Sequence, residues 1–148
     1  MKLNNLQIVK ELDIEHVKDF KNNEITNRIR WIKHKEKPIL LLDYSNFLNS
    51  DETIRTISEV NEYIKKLGVY DILLLVDVRN SYANEKMVVD ALKQNALIVK
   101  PYVKKAAVVG VTYTQEVILT VVNMFSSLGL KPFDTINNAK HWLIDQYY

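Results

Sequence analysis

Apolar residues along the chain keep two rhythms, and each rhythm predicts a different element. From Arg28 to Lys33 polar and apolar positions alternate (Ile29, then Trp31 or Ile32), and Ile39 to Leu42 is an unbroken apolar run. With the polar connection His34 to Lys37 between them, the two segments predict an antiparallel hairpin. Between Ser50 and Leu67, Ile54, Ile57, Val60, Ile64 and Leu67 recur at helical spacing, with Ser50 as the expected N-cap and Gly68 as a left-handed stop. Ile72 to Val76, ending at Asp77, is short, apolar and partly β-branched, as a buried parallel strand covered on both faces should be. A helix over Glu85 to Ala96 follows, capped by Asn84 and apolar at Val88, Ala91, Leu92 and Ala96. Pro101 then leads into a strand from Val103 to Val109. Ile118, Val121, Val122, Phe125 and Leu128 mark a helix face closed by Gly129, and Leu130 to Phe133 is a short strand that Pro132 confines to a sheet edge or end. A last helix, Thr135 to about Gln146, buries Ile136, Ala139, Leu143 and Trp142.

Hairpin, then helix and strand in alternation, is the order of an α/β domain: a mixed, largely parallel sheet with alternating helices. The runs around Leu40, Leu73 and Val108 should be neighbouring or near-neighbouring strands of that sheet. Residues 1 to 22 fit less well. Leu6, Val9, Val17 and Phe20 keep a helical spacing that Asp13 breaks, so this segment is expected to be a helical appendage to a domain spanning 23 to 148. Its charges exclude both a signal-peptide core and a membrane span.

Composition sharpens this by exclusion. At 148 residues, 47% hydrophobic and 26% charged, the chain has the size and balance of one globular domain. A net charge of +2 is too little to argue for a nucleic-acid-binding protein, where a concentrated basic face is expected. The absence of cysteine removes disulfides, thiolate zinc sites and cysteine nucleophiles, and fits a reducing cytoplasm. Three glycines are too few for a phosphate-cradling loop or a dinucleotide fingerprint, and no Gly-x-Ser-x-Gly elbow is present. His16, His34 and His141 are scattered, with no two at ligand spacing on one helix. No catalytic residues, metal or cofactor are therefore assigned.

Several segments together carry a family resemblance: His34-Lys35-Glu36-Lys37-Pro38-Ile39-Leu40-Leu41-Leu42-Asp43-Tyr44-Ser45-Asn46, the strand end Val76-Asp77-Val78, and the long run Lys100-Pro101-Tyr102-Val103-Lys104-Lys105-Ala106-Ala107-Val108-Val109-Gly110-Val111-Thr112. Phe133-Asp134-Thr135 with Ala139 and Trp142-Leu143 completes the set. In these residues the chain resembles the anti-sigma-factor antagonist (STAS) fold, and more closely the bacterial STAS/SEC14-like (SpoIIAA-like) domains of unassigned function, over about residues 28 to 146. The resemblance implies a STAS-like, cofactor-free, non-enzymatic cytoplasmic module that regulates a protein partner of unknown identity. The alternative it implies is binding or sensing of a small apolar ligand such as a lipid or fatty acyl chain.

Better-understood relatives of that family are switched by phosphorylation of a serine at a helix start, between an aspartate and a small residue. Here that place holds Glu85 and Lys86, and only Ser81 lies near enough to be a candidate phosphorylation site; its structural alternative is a turn-forming serine. Asp43 and Asp77 at strand ends, with Lys131-Pro132-Phe133, superficially resemble a response-regulator receiver, but Asp43 is followed by Tyr44 and Ser45 rather than a second acidic residue. Lys93, Lys100, Lys104 and Lys105 suggest either an anion or headgroup patch or a solvated lysine rim. The candidate partner or ligand surface is placed after the C-terminal ends of two buried parallel strands: Asp77, Arg79, Asn80, Ser81 and Tyr82 in one loop, and Thr112 and Tyr113 beside it.

Overall fold

A computed structural model describes residues 28–81 and 85–145, except for the side chains of residues 113, 114, 117, 121, 124 and 125 within one helix. The expected appendage over residues 1 to 22, and Tyr82 and Asn84, lie outside the described residues.

The hairpin forms as expected. Strand β1 (Ile29–His34) pairs antiparallel with β2 (Lys37–Asp43). Lys35 and Glu36 between them take positive φ, 48° and 68°, as the primed two-residue turns matching strand twist require at both central positions. The chain then alternates: helix α1 (Ser50–Leu67), strand β3 (Ile72–Asp77), helix α2 (Lys86–Val99), a short 3-10 turn Lys100–Tyr102, strand β4 (Val103–Val109), helix α3 (Tyr113–Ser126), strand β5 (Lys131–Phe133) and helix α4 (Ile136–Ile144). The sheet runs in order β1-β2-β3-β4-β5, antiparallel between the first two strands and parallel thereafter.

Because each crossover advances by one strand in the same direction, crossovers of the usual hand place their helices on one face. Accordingly α1 packs on α2 and α2 on α3, while α4 lies against the strands from the other side. Strand residues divide between the faces with period two. Leu40, Leu42, Leu74, Val76, Ala106 and Val108 meet the three-helix layer with Ile57, Val60 and Ile64; Ile39, Leu41, Leu73, Leu75, Ala107 and Val109 meet Ala139 and Leu143 of α4. The runs at Leu40, Leu73 and Val108 are thus adjacent strands.

A bulge between β3 and β4 pairs Ile72 with Val103 but Leu73 with Lys105, leaving Lys104 over. It turns Lys105 toward α4, where Nζ donates to the carbonyls of Trp142 and Asp145, both at 2.8 Å, and lies over the Trp142 ring. Lys37 donates to Ile144 O at 3.1 Å. Two lysines therefore satisfy the orphan carbonyls at the end of α4, where a helix dipole favours cations.

Several expected boundaries are corrected. Asn49, not Ser50, caps α1: its side chain accepts from the Glu52 amide at 3.0 Å. Gly68 ends that helix at φ 61° as expected, while Thr53 and Thr56 are buried by bonding their hydroxyls back to Asn49 O and Glu52 O. The N-cap of α2 is Glu85, without a side-chain cap bond. Helix α3 begins earlier than the apolar spacing indicates and stops at Ser127, φ 57°, rather than at Gly129. There the Asn123 side chain takes over the work of a glycine stop, bonding both the amide and the carbonyl of Leu130 at 2.9 Å.

Candidate functional site

Strands β2, β3 and β4 end side by side, and backbone bonds carry their pairing into the loops: the amides of Tyr44, Asn46 and Val78 donate to the carbonyls of Asp77, Arg79 and Val109. Asp43 and Asp77 are register neighbours, yet each carboxylate has its own cations or donors. Asp43 accepts from the Ser45 amide and hydroxyl and lies 3.8 Å and 3.5 Å from the Arg28 and Arg30 guanidinium groups. Asp77, with a side chain only 7% exposed, takes both the Nε and the NH2 group of Arg79, at 3.0 and 2.8 Å, and also the Arg79 amide. The bidentate bond to Asp77 raises the Arg79 pKa above its ordinary value. Among the described residues no group of three His, Cys, Asp or Glu side chains that could hold a metal ion occurs.

Gly110 completes this edge. At φ 93°, a Cβ there would fall 2.7 Å from the Arg79 amide nitrogen and 2.8 Å from its Cα, so the β4 exit touches the 77–81 loop backbone to backbone. Asn80, at φ 56°, donates its side-chain amide to Asn46. The Ser81 hydroxyl donates to Val78 O at 2.7 Å, the turn-forming role. Thr112 and Gln115 form a capping box on α3, and Gln115 Nε2 reaches across to Ser81 O at 3.1 Å. The structure therefore brings Asp77, Arg79, Asn80, Ser81 and Thr112 to one edge; Tyr113 opens α3, with its side chain among those not described.

Beneath that edge, between the sheet and helices α2 and α3, lies an apolar cavity of about 90 Å³, partly open to solvent. Its floor is Leu42, Leu74, Val76 and Val108; Leu92, Ala96, Leu119 and Val122 form the helix walls, and Leu128 and Leu130 the far side. Ala96 presents only a methyl where a larger side chain would fill the space. Four polar residues reach the lining: Tyr44, Ser81, Asn95 and Gln115. Asn95 bridges to Asn61 of α1 at 2.7 Å, and Gln115 and Ser81 are bonded as above. Tyr44 differs: it is 4% exposed, and its hydroxyl is buried without a hydrogen-bond partner among the described residues. Burial pushes its phenol well above the ordinary value, so the group stays a protonated donor.

From sequence, the apolar-ligand alternative calls for a concave apolar pocket of roughly 300 to 1,000 Å³ between helices and sheet; the cavity lies in that place but falls short of that volume, and Tyr44 was assigned no role. The signal available was the alternation that puts Leu40, Leu42 and Tyr44 on one face of the sheet. Sequence reasoning also left His34 and His141 apart; the fold sets Nε2 and Nδ1 3.3 Å apart across β1 and α4. Desolvation first, then the neighbouring His141, holds His34 below its ordinary pKa. The lysine patch does not form as one group, because Lys105 is spent on α4. No described helix is long and apolar enough to cross a membrane. Comparison with protein-family models, with curated proteins and with solved structures finds no match to the chain.

Proposed function

We propose that this α/β domain is a non-enzymatic, STAS-like regulatory module of the cytoplasm that senses a small apolar ligand, and that a protein partner reads the liganded state at the β-strand edge. The observation that carries this reading is the apolar cavity against the helix-covered sheet face. Binding sites for small molecules are concave, mostly apolar and provided with few polar groups, which is the character of this lining. Its size narrows the ligand. At about 90 Å³ it is smaller than the roughly 150 Å³ apolar cavity that takes up benzene, so it suits a compact group or the end of a chain rather than a whole fatty acyl chain.

The polar edge supports the second half of the reading through one residue. Gln115 lines the cavity and holds the Ser81 carbonyl, so a displacement of α3 by a bound ligand is transmitted to the 77–81 loop. The resemblance to STAS/SEC14-like domains implies a protein partner or, as its alternative, a small apolar ligand, and the proposed module combines the two.

Native mass spectrometry of the intact protein purified without detergent, together with titration by xenon, a probe small enough for this volume, followed by amide NMR, tests the ligand reading. The expected result is a co-purifying small molecule or saturable xenon binding, abolished by Ala96→Leu in a variant that still unfolds cooperatively. Absence of both in the wild type, or xenon binding untouched by Ala96→Leu, rejects the cavity as a site.

A further inference from the structure

The polar groups of the cavity are unequal. The Ser81 hydroxyl, the Asn95 amide and both ends of the Gln115 side chain already have partners within the protein. The Tyr44 hydroxyl has none among the described residues, although it belongs to a residue of the lining and is shut off from bulk water. A buried hydroxyl without a partner is destabilising, because its lost bonds to water are not replaced. A phenol is moreover a good donor and a weak acceptor, since its oxygen lone pair is shared with the ring; what it lacks is an acceptor for its proton.

Among the described residues the lining also contains no Asp, Glu, Lys, Arg or His. A charged ligand group would lose its hydration there and find no counterion, which is far more costly than burying a neutral carbonyl.

From these two observations we infer that the cavity takes a neutral ligand bearing a carbonyl oxygen, which accepts a hydrogen bond from the Tyr44 hydroxyl. This rests on the proposed apolar-ligand function and specifies its chemistry. The hydroxyl is sealed from a water-sized sphere in the empty protein, so the bond requires the Tyr44 side chain to turn toward the cavity that this residue lines as the carbonyl enters. The arrangement discriminates in two ways. A hydrocarbon of the same shape leaves the hydroxyl unpaired, and a carboxylate brings an uncompensated charge.

Three four-heavy-atom compounds of the same planar shape test this on the full-length protein: acetone labelled with carbon-13 at the carbonyl, isobutene and acetate. Affinities are read by amide NMR for the wild type and for Tyr44→Phe. One hydrogen bond corresponds to a weakening of acetone binding by about 5- to 10-fold in Tyr44→Phe, while isobutene should change by less than about twofold. The carbonyl stretch of bound acetone should lie at lower frequency in the wild type than in the variant. Tyr44→Phe should melt no lower than the wild type, since it removes an unpaired group. Equal acetone affinity in the two proteins overturns the inference, as does acetate binding as tight as that of the ketone. A sharply lowered melting temperature of Tyr44→Phe also overturns it, by revealing that the hydroxyl is already satisfied. If isobutene and acetone both fail to bind the wild type, the apolar-ligand function falls and this inference with it; if both bind and only the Tyr44 dependence is missing, the function stands and the inference alone fails.

Discussion

The strand-end edge and the cavity beneath it are built from the same three strands, yet they use polarity in opposite ways. At the edge, Asp43, Asp77, Arg79, Asn80, Ser81 and Thr112 are concentrated, and each has a partner inside the protein. Around the cavity polar residues are few, and one of them, Tyr44, keeps a buried hydroxyl without a partner among the described residues. Binding capacity follows from what is unsatisfied rather than from what is polar, because a group already bonded must give up one interaction to gain another. The sheet order explains why the edge is closed. In doubly wound sheets a ligand crevice opens where the strand order reverses; here β1 to β5 follow one another without reversal, so adjacent loops meet instead of diverging. Gly110 against the Arg79 backbone is the tightest point of that closure.

Breaking the closure should have the largest effect. Gly110→Ala imposes a disfavoured φ and a backbone clash with Arg79, each of order 1–3 kcal/mol, and chemical denaturation should show a loss of about 3 kcal/mol. A variant as stable as the wild type would mean that the loop yields easily and the edge is not closed.

Asp77→Ala comes next. It removes the acceptor for three Arg79 donors from a buried position, while the guanidinium, at 54% exposure, is free to regain water. Urea unfolding should register about 1–2 kcal/mol. Arg79→Ala should lower stability as well, so any loss of partner binding in that variant has to be compared with its loss of folding before Arg79 is assigned to an interface.

In the cavity the expected changes in stability are smaller and those in binding larger. Ala96→Leu fills empty space, and its melting temperature should differ from the wild type by the equivalent of about 1 kcal/mol or less if the volume accepts the added carbons. A fall of about 3 kcal/mol would show that the walls are rigid and the cavity smaller than its ligand requires.

The smallest effect is expected away from both regions, at His34 and His141. Folding holds the His34 pKa below its ordinary value of about 6.5, so the unfolded chain binds more protons between the two values, and stability declines as pH falls through that window. Both rings are on the exposed surface, which limits the change to about 0.5 kcal/mol. Thermal unfolding of His34→Gln at pH 7.5 and at pH 5.5 should show a flatter dependence than the wild type; an identical dependence would assign the slope to other groups.

What the sequence by itself determined is the set of elements and the faces they bury. Period-two alternation in β1, the apolar runs of β2, β3 and β4, and the helical spacing of α1 are local properties, and the α/β order of elements follows from them. Helix ends were legible only to within a residue or two, because Asn49 and Ser50 are both competent caps and only the backbone conformation selects one. Placing Asp77, Arg79, Ser81 and Thr112 at one edge also needed only the rule that parallel strands point the same way. The nearest partners of these groups are local, two or three residues away, but how the loops close on one another was decided by tertiary structure. The bond from Gln115 to Ser81 and the contact of Gly110 with Arg79 depend on the exits of β3 and β4 meeting. The bulge that sends Lys105 to α4 and the meeting of His34 with His141 depend on packing between distant segments. The cavity is the extreme case. It is a volume left over when side chains from strands, helices and loops fail to fill the space between them, and no periodicity along a chain records a volume that no residue occupies.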